Sequence, residues 1–152
     1  MAIHTLRREQ VLDAGVDRVF AFFADPLNLE AITPPLLRFE VITPGQVTMR
    51  VGALIAYRLH LHGVPISWLT SIQDWDPPHR FIDQQVRGPF ALWHHTHELF
   101  PSGPDGTRMR DTVRYAIGYG PLGEIAHRVL VRRDLETIFD FRARKVEELL
   151  RR

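Results

Sequence analysis

Gly88-Pro89-Phe90-Ala91-Leu92-Trp93-His94-His95-Thr96-His97-Glu98-Leu99-Phe100 is the stretch whose reading decides the fold. Gly-Pro turns the chain, and the period-two alternation of a strand then places Trp93, His95, His97 and Leu99 on one face. The other face carries His94, Thr96, Glu98 and Phe100. The first set is the more apolar and holds no carboxylate, so it is assigned inward, at the expense of leaving Phe100 outside. Two imidazoles among large apolar neighbours predict the lining of a ligand cavity rather than a solid core.

The next strand supports that face. Pro101 to Gly106 (PSGPDG) reads as a hairpin loop, and Thr107 to Ile117 alternates cleanly behind it. Arg108, Arg110, Thr112 and Arg114 make its wet side, so Met109, Asp111, Val113 and Tyr115 point inward. Residues paired across antiparallel strands face the same way, with Cβ atoms about 5 Å apart. Either plausible register therefore sets Asp111 opposite His95 or His97. A carboxylate there would fix the imidazole tautomer and raise its pKa. Three readings stay open: a self-satisfied buried polar cluster, a polar patch on a cavity floor, or a metal site of two histidines and an aspartate. No metal and no other cofactor is predicted.

Working outward, Ile3 to Leu12 opens the chain as a strand, broken at Ala14-Gly15. Val16 to Ala24 follows as a short helix with Val19, Phe20 and Phe23 on one face. Asp25-Pro26 starts a second short helix over Leu27 to Ile32, ended by Thr33-Pro34-Pro35. Strands are then expected over Leu36 to Thr43, Gly52 to His62, Ile66 to Trp75 and Arg80 to Arg87. Ile55, Tyr57, Leu59 and Leu61 share one side of the second of these, with Arg58, His60 and His62 on the solvent side. His4, His79, His94 and His127 carry no constellation, and no glycine stretch matches a phosphate loop. After Gly118 to Gly120, a helix from about Leu122 to Leu150 would run roughly 40 Å. Its stripe of Leu122, Ile125, Ala126, Val129, Leu135, Ile138, Phe139, Val146, Leu149 and Leu150 is expected to be buried.

Strand, two short helices, six strands and a long helix predict an α+β fold, a curved antiparallel sheet of about seven strands wrapped on the C-terminal helix. Residues 1–152 suit a single domain. Composition narrows the function classes. There is no cysteine, which removes disulfides, thiolate metal sites and a cysteine nucleophile. Lys145 is the only lysine, so Schiff-base chemistry has one candidate. A net charge of +1 points to no nucleic-acid partner. No apolar run approaches a membrane span, so no stable membrane insertion is expected, and the start lacks the apolar core of a signal peptide. Cytoplasmic residence is the expectation, with a homodimer as an open possibility.

The order of elements, VFAFFADPLNLEAITPP, WDPPHRFIDQQVRGPF and the Trp93-x-His95-x-His97-x-Leu99 pattern together resemble the START/SRPBCC superfamily, the helix-grip fold of pollen allergens, aromatase/cyclases and lipid-transfer domains. The closest resemblance is to a bacterial branch labelled polyketide cyclase/dehydrase-like or cell-division-inhibitor-like, whose pattern falls here on Gly88, Pro89, Phe90, Trp93, His95, His97, Asp111 and Tyr115. Leu99 stands where that branch usually has phenylalanine. The resemblance implies an apolar cavity between sheet and helix that takes a lipid, polyketide or other hydrophobic molecule, and it does not imply catalysis. The expected ligand-binding residues are Tyr57, Trp68, Phe81, Trp93, His95, His97, Asp111, Tyr115 and Phe139. The alternatives are a cyclase, dehydratase or hydrolase using His95, His97 and Asp111 as acid and base, or a protein-interaction module.

Overall fold

The computed structural model describes residues 2–45 and 47–151. Strand β1 (His4–Leu12) leads into helices α1 (Val16–Phe23) and α2 (Asn28–Ala31), then a 3-10 turn at Pro35–Leu37. Six strands follow: β2 (Glu40–Val41), β3 (Leu54–Leu61), β4 (Val64–Asp76), β5 (Arg80–Arg87), β6 (Leu92–Ser102) and β7 (Gly106–Ala116). The chain closes with α3 (Gly120–Ala126), a π-helical segment at His127–Val131, and α4 (Arg132–Leu150). The sheet is antiparallel in the order β1-β7-β6-β5-β4-β3-β2, so consecutive strands pair except where β7 closes onto β1. This is the helix-grip fold.

Local chemistry accounts for the joints. His62 and Gly63 both have positive φ (50° and 80°) and join β3 to β4 in a two-residue turn, the backbone that matches strand twist. Register shifts at Leu69/Thr70 and Ile72/Asp74 bend β4 and help curl the sheet. Asp25 Oδ1 accepts the Leu27 backbone N–H at 3.0 Å and starts the α2 turn.

Leu36 to Thr43 is not one strand. Pro34-Pro35 imposes the 3-10 turn, Arg38 takes a left-handed conformation, and only Glu40–Val41 pairs with β3. The C-terminal helix departs from expectation in a second way. Leu135, Phe139, Val146 and Leu150 are buried as expected, yet Leu122, Ile125, Ala126, Val129 and Leu149 are exposed. Instead Gly123 and His127 face the sheet. A Cβ on Gly123 would stand 1.9 Å from the Gly118 carbonyl oxygen, so the helix docks by its glycine side and turns its larger apolar residues outward. The π-helical segment then lets the buried seam run at four-residue spacing from His127 through Val131 to Leu135.

Phe100 is explained by its surroundings. On the outer face of β6 its ring lies under Arg108 and Arg110, whose guanidinium carbons are 4.5 and 5.3 Å from its centre.

Two substitutions separate the expected stripe from the observed seam. Leu135→Ala should cost about 2–4 kcal/mol, whereas Ile125→Ser should stay within about 0.5 kcal/mol of the parent. Urea denaturation reads both, and equal losses would contradict this placement of the helix.

Candidate functional site

The sheet's concave face and α4 enclose a cavity of about 250 Å³. Most of its wall is apolar: Leu29, Ile55, Leu59, Ile66, Trp68, Phe90, Trp93, Leu135 and Phe139 are among the lining residues. Polar groups gather on one side, where Asp83, His95, His97 and Arg142 reach the surface, with Tyr57, Thr33 and Asp134 elsewhere on the wall. Alternation along β6 is complete: Trp93, His95, His97 and Leu99 are buried, and each residue between them is only partly so.

The histidines form a stack. Their ring centres are 3.6 Å apart with planes 26° from parallel, and Phe81 stacks on the far side of His97 at 3.9 Å. A carboxylate stands at each edge of the pair. His95 Nε2–H donates to Asp111 Oδ1 at 2.8 Å, and His97 Nε2–H donates to Asp83 Oδ2 at 2.6 Å. His97 Nδ1 lies 3.2 Å from the same Asp111 oxygen without making a hydrogen bond. The register supplies these partners: on β7 Asp111 pairs with His97, and on β5 Asp83 pairs with His95.

Environment drives the two imidazoles apart. Burial lowers His95, and the neighbouring His97 charge lowers it further, outweighing the hydrogen bond to Asp111. Burial also opposes the charged form of His97, but Asp111 and Asp83 together overcome it and raise that ring. Both carboxyls are pushed up by burial and pulled down harder by the imidazoles, so Asp83 sits below the usual range and Asp111 far below it. The arrangement therefore favours the proton on His97 over His95. With its proton on Nε2, His95 keeps Nδ1 as a basic nitrogen, 3.8 Å from Asp83.

Tyr57, Trp68, Phe81, Trp93, His95, His97 and Phe139 line the cavity. Asp111 stands behind the histidines and opens on a small cleft of about 60 Å³ instead. Tyr115 is buried away from the cavity, its hydroxyl 2.7 Å from His127 Nε2. Asp83 and Arg142 were missed, though both had a signal: Asp83 is two residues from the inward Phe81, and Arg142 lies at helical spacing from Phe139 and Val146. His4 and His127 do form a constellation, stacked at 3.6 Å, with Glu124 Oε2 3.3 Å from His4 Nε2. They are brought together by β1 and the π-helical segment, which no local pattern reveals. His62, expected on the outer face with Arg58 and His60, instead lies exposed in the β3–β4 turn and meets Asp134 of α4, on the helix side of the sheet, at 2.9 Å.

The metal-type trio at this site is Asp83, His95 and His97, with ligand atoms within 4.8 Å of one another. In the structure Asp83 Oδ2 accepts from His97 Nε2 and lies 3.8 Å from His95 Nδ1. The donor set is arranged as a hydrogen-bonded network.

A curved sheet gripping a helix over a cavity defines a START/SRPBCC protein. The chain belongs to the polyketide cyclase / dehydrase and lipid transport family, whose profile matches residues 4–151. No curated protein matches the sequence. Among solved structures, a Chromobacterium violaceum protein superposes with a TM-score of 0.76 at 18% identity, covering 98% of this chain and 99% of that one. A START superfamily protein from Mycobacterium smegmatis gives 0.73 at 11% identity, with 97% of each chain covered. The Zhui aromatase/cyclase from Streptomyces gives 0.68 at 16% identity, covering 95% of this chain and 94% of that one. These likenesses are of fold.

Asp111→Asn should cost about 3 kcal/mol, because it removes the partner of a buried imidazole pair. The depressed carboxyls contribute stability that is present above about pH 4 and lost as the pH falls below it. His97 works the other way, its contribution present below about pH 6.5 and lost as the pH rises through its raised folded value, while His95 opposes it. Urea melts across pH 3–8 test this; an Asp111→Asn variant as stable as the parent at pH 7 would contradict it.

Proposed function

We propose that this protein binds a small hydrophobic molecule between the sheet and α4, with the ligand's polar end at the Asp83–His95–His97 wall. The observation that supports this is the segregation of the cavity: apolar and aromatic side chains make most of its surface, and hydrogen-bonding groups converge on one side. A self-satisfied polar cluster alone would need no space in front of it. The family's own description, polyketide cyclase / dehydrase and lipid transport, fits a ligand of lipid, polyketide or aromatic type. Among the described residues no helix is long and apolar enough to cross a membrane, so the ligand would be taken up by the cavity rather than by a spanning segment.

A second reading rests on one further observation. His95 is oriented by Asp111 and is the less readily protonated ring, while His97 beside it takes a proton more readily. A base and an acid on one cavity wall suit cyclisation or dehydration of a polyketide-like substrate. If the wild-type protein turns over a poly-β-keto thioester mimic, His95→Gln should slow it at least 100-fold, the scale of a positioned acid–base group. Loss under threefold would remove His95 from that role.

For binding, native mass spectrometry of the purified protein should show a retained small molecule. The neutral fluorophore N-phenyl-1-naphthylamine should bind the wild-type cavity. Leu59→Trp, which fills that cavity from β3, should weaken it at least tenfold. Undiminished binding to Leu59→Trp would place the ligand elsewhere.

A further inference from the structure

Arg142 is a group in the cavity wall that shape alone leaves unexplained. It stands on α4 between the buried Phe139 and Val146, and it lines both the cavity and the small cleft behind the histidines. Its guanidinium lies over the Phe139 ring, 4.9 Å from the centre. Its Nε is closed off from solvent and has no hydrogen-bond partner. A guanidinium only donates, and a buried donor without an acceptor is a cost that native structures rarely carry without a use.

One oxygen of each nearby carboxylate is engaged by a histidine, and neither carboxylate hydrogen-bonds Arg142 Nε. Asp83 Oδ2 accepts from His97, and Asp111 Oδ1 accepts from His95. Both carboxylates act on Arg142 through their charge, as does Tyr57. With Asp83 and Asp111 ionised and His97 and Arg142 protonated, the cluster's formal charge is zero. An acceptor arriving from the cavity would complete it.

We propose that the cavity selects hydrophobic molecules bearing a carboxylate that pairs with the guanidinium of Arg142, a lining group with no hydrogen bond from its Nε, while the apolar body lies against Tyr57, Trp68 and Trp93. The proposal rests on the binding reading above and specifies the ligand's polar end. A carboxylate suits a guanidinium because two of its oxygens match the planar donor fork. The cavity volume of about 250 Å³ falls just below the range for drug-sized ligands. That favours a two-ring aromatic acid or a medium-chain acid. His95 is faced by Asp83 from β5, His97 on β6 and Asp111 from β7, and Arg142 of α4 acts on the same two carboxylates. An anion set among them favours the charged form of His95, which burial disfavours, so binding should be accompanied by proton uptake and weaken as the pH rises.

Displacement of N-phenyl-1-naphthylamine by 2-naphthoate, methyl 2-naphthoate and 2-naphthylmethylamine tests the proposal. The acid should bind at least tenfold tighter than its ester, the scale of one hydrogen bond to a charged group, and the amine weakest. Arg142→Met should bring the acid down to the ester's level, while Arg144→Met, exposed on the same helix, should keep the preference. Equal affinity of the wild-type protein for acid and ester would overturn the carboxylate proposal and leave the hydrophobic-ligand reading standing. Failure of the fluorophore and all three competitors to bind would overturn both. Should Arg142→Met not fold, the wild-type acid-to-ester ratio decides, together with calorimetry in two buffers, which should show proton uptake with the acid and none with the ester.

Discussion

Two imidazoles can be buried face to face only because a carboxylate waits at each edge of the pair. Asp83 and Asp111 come from the strands on either side of β6, so one polar cluster ties three strands together at a single register. A slip of one residue would turn the histidines to water and bring Glu98 inward, a penalty no local change could offset. The helix answers the same constraint from above. Arg142 balances the charge that the two carboxylates leave, and Phe139 closes the space beside His95, 5.7 Å between ring centres.

The cavity follows from geometry around that anchor. A sheet bent by the irregularities of β4 cannot lie flat against a straight helix, and the gap is lined by Trp68, which meets Phe90 and Trp93 edge-on. Aromatic walls of this kind are rigid and keep a space open that aliphatic side chains would collapse into. At the other end Phe20, Val146 and Leu150 belong to a buried apolar cluster that meets the cavity at Phe23 and Phe81. One fold thus carries a packed end that supplies stability and an open end that can accept a guest.

Charge pairing decides more of the chemistry than any single residue type. His95 and His97 are identical in sequence terms and two residues apart, yet their proton affinities move in opposite directions. Burial acts on both, but His97 is close to both carboxylates while His95 carries its neighbour's positive charge. The division into a less and a more readily protonated ring is a property of the cluster, and it is what makes this wall able to receive a polar group.

Alternation along β6 and β7 was enough to determine that Trp93, His95, His97 and Asp111 share the inner face, because a strand's side chains have only two directions to choose from. The same rule applied to β5 would have added Asp83 beside Phe81, and helical spacing would have added Arg142, so the cluster was more legible than the first reading of it. Tertiary structure decided the rest. The outward turn of Leu122, Ile125 and Val129 depends on Gly123 meeting the Gly118 carbonyl, and the meeting of His4 with His127 depends on β7 closing onto β1. Which of two equal histidines holds the proton, and where a wall stays unfilled, are set by distances across strands and helix. Periodicity in a chain carries direction, but distance exists only after folding.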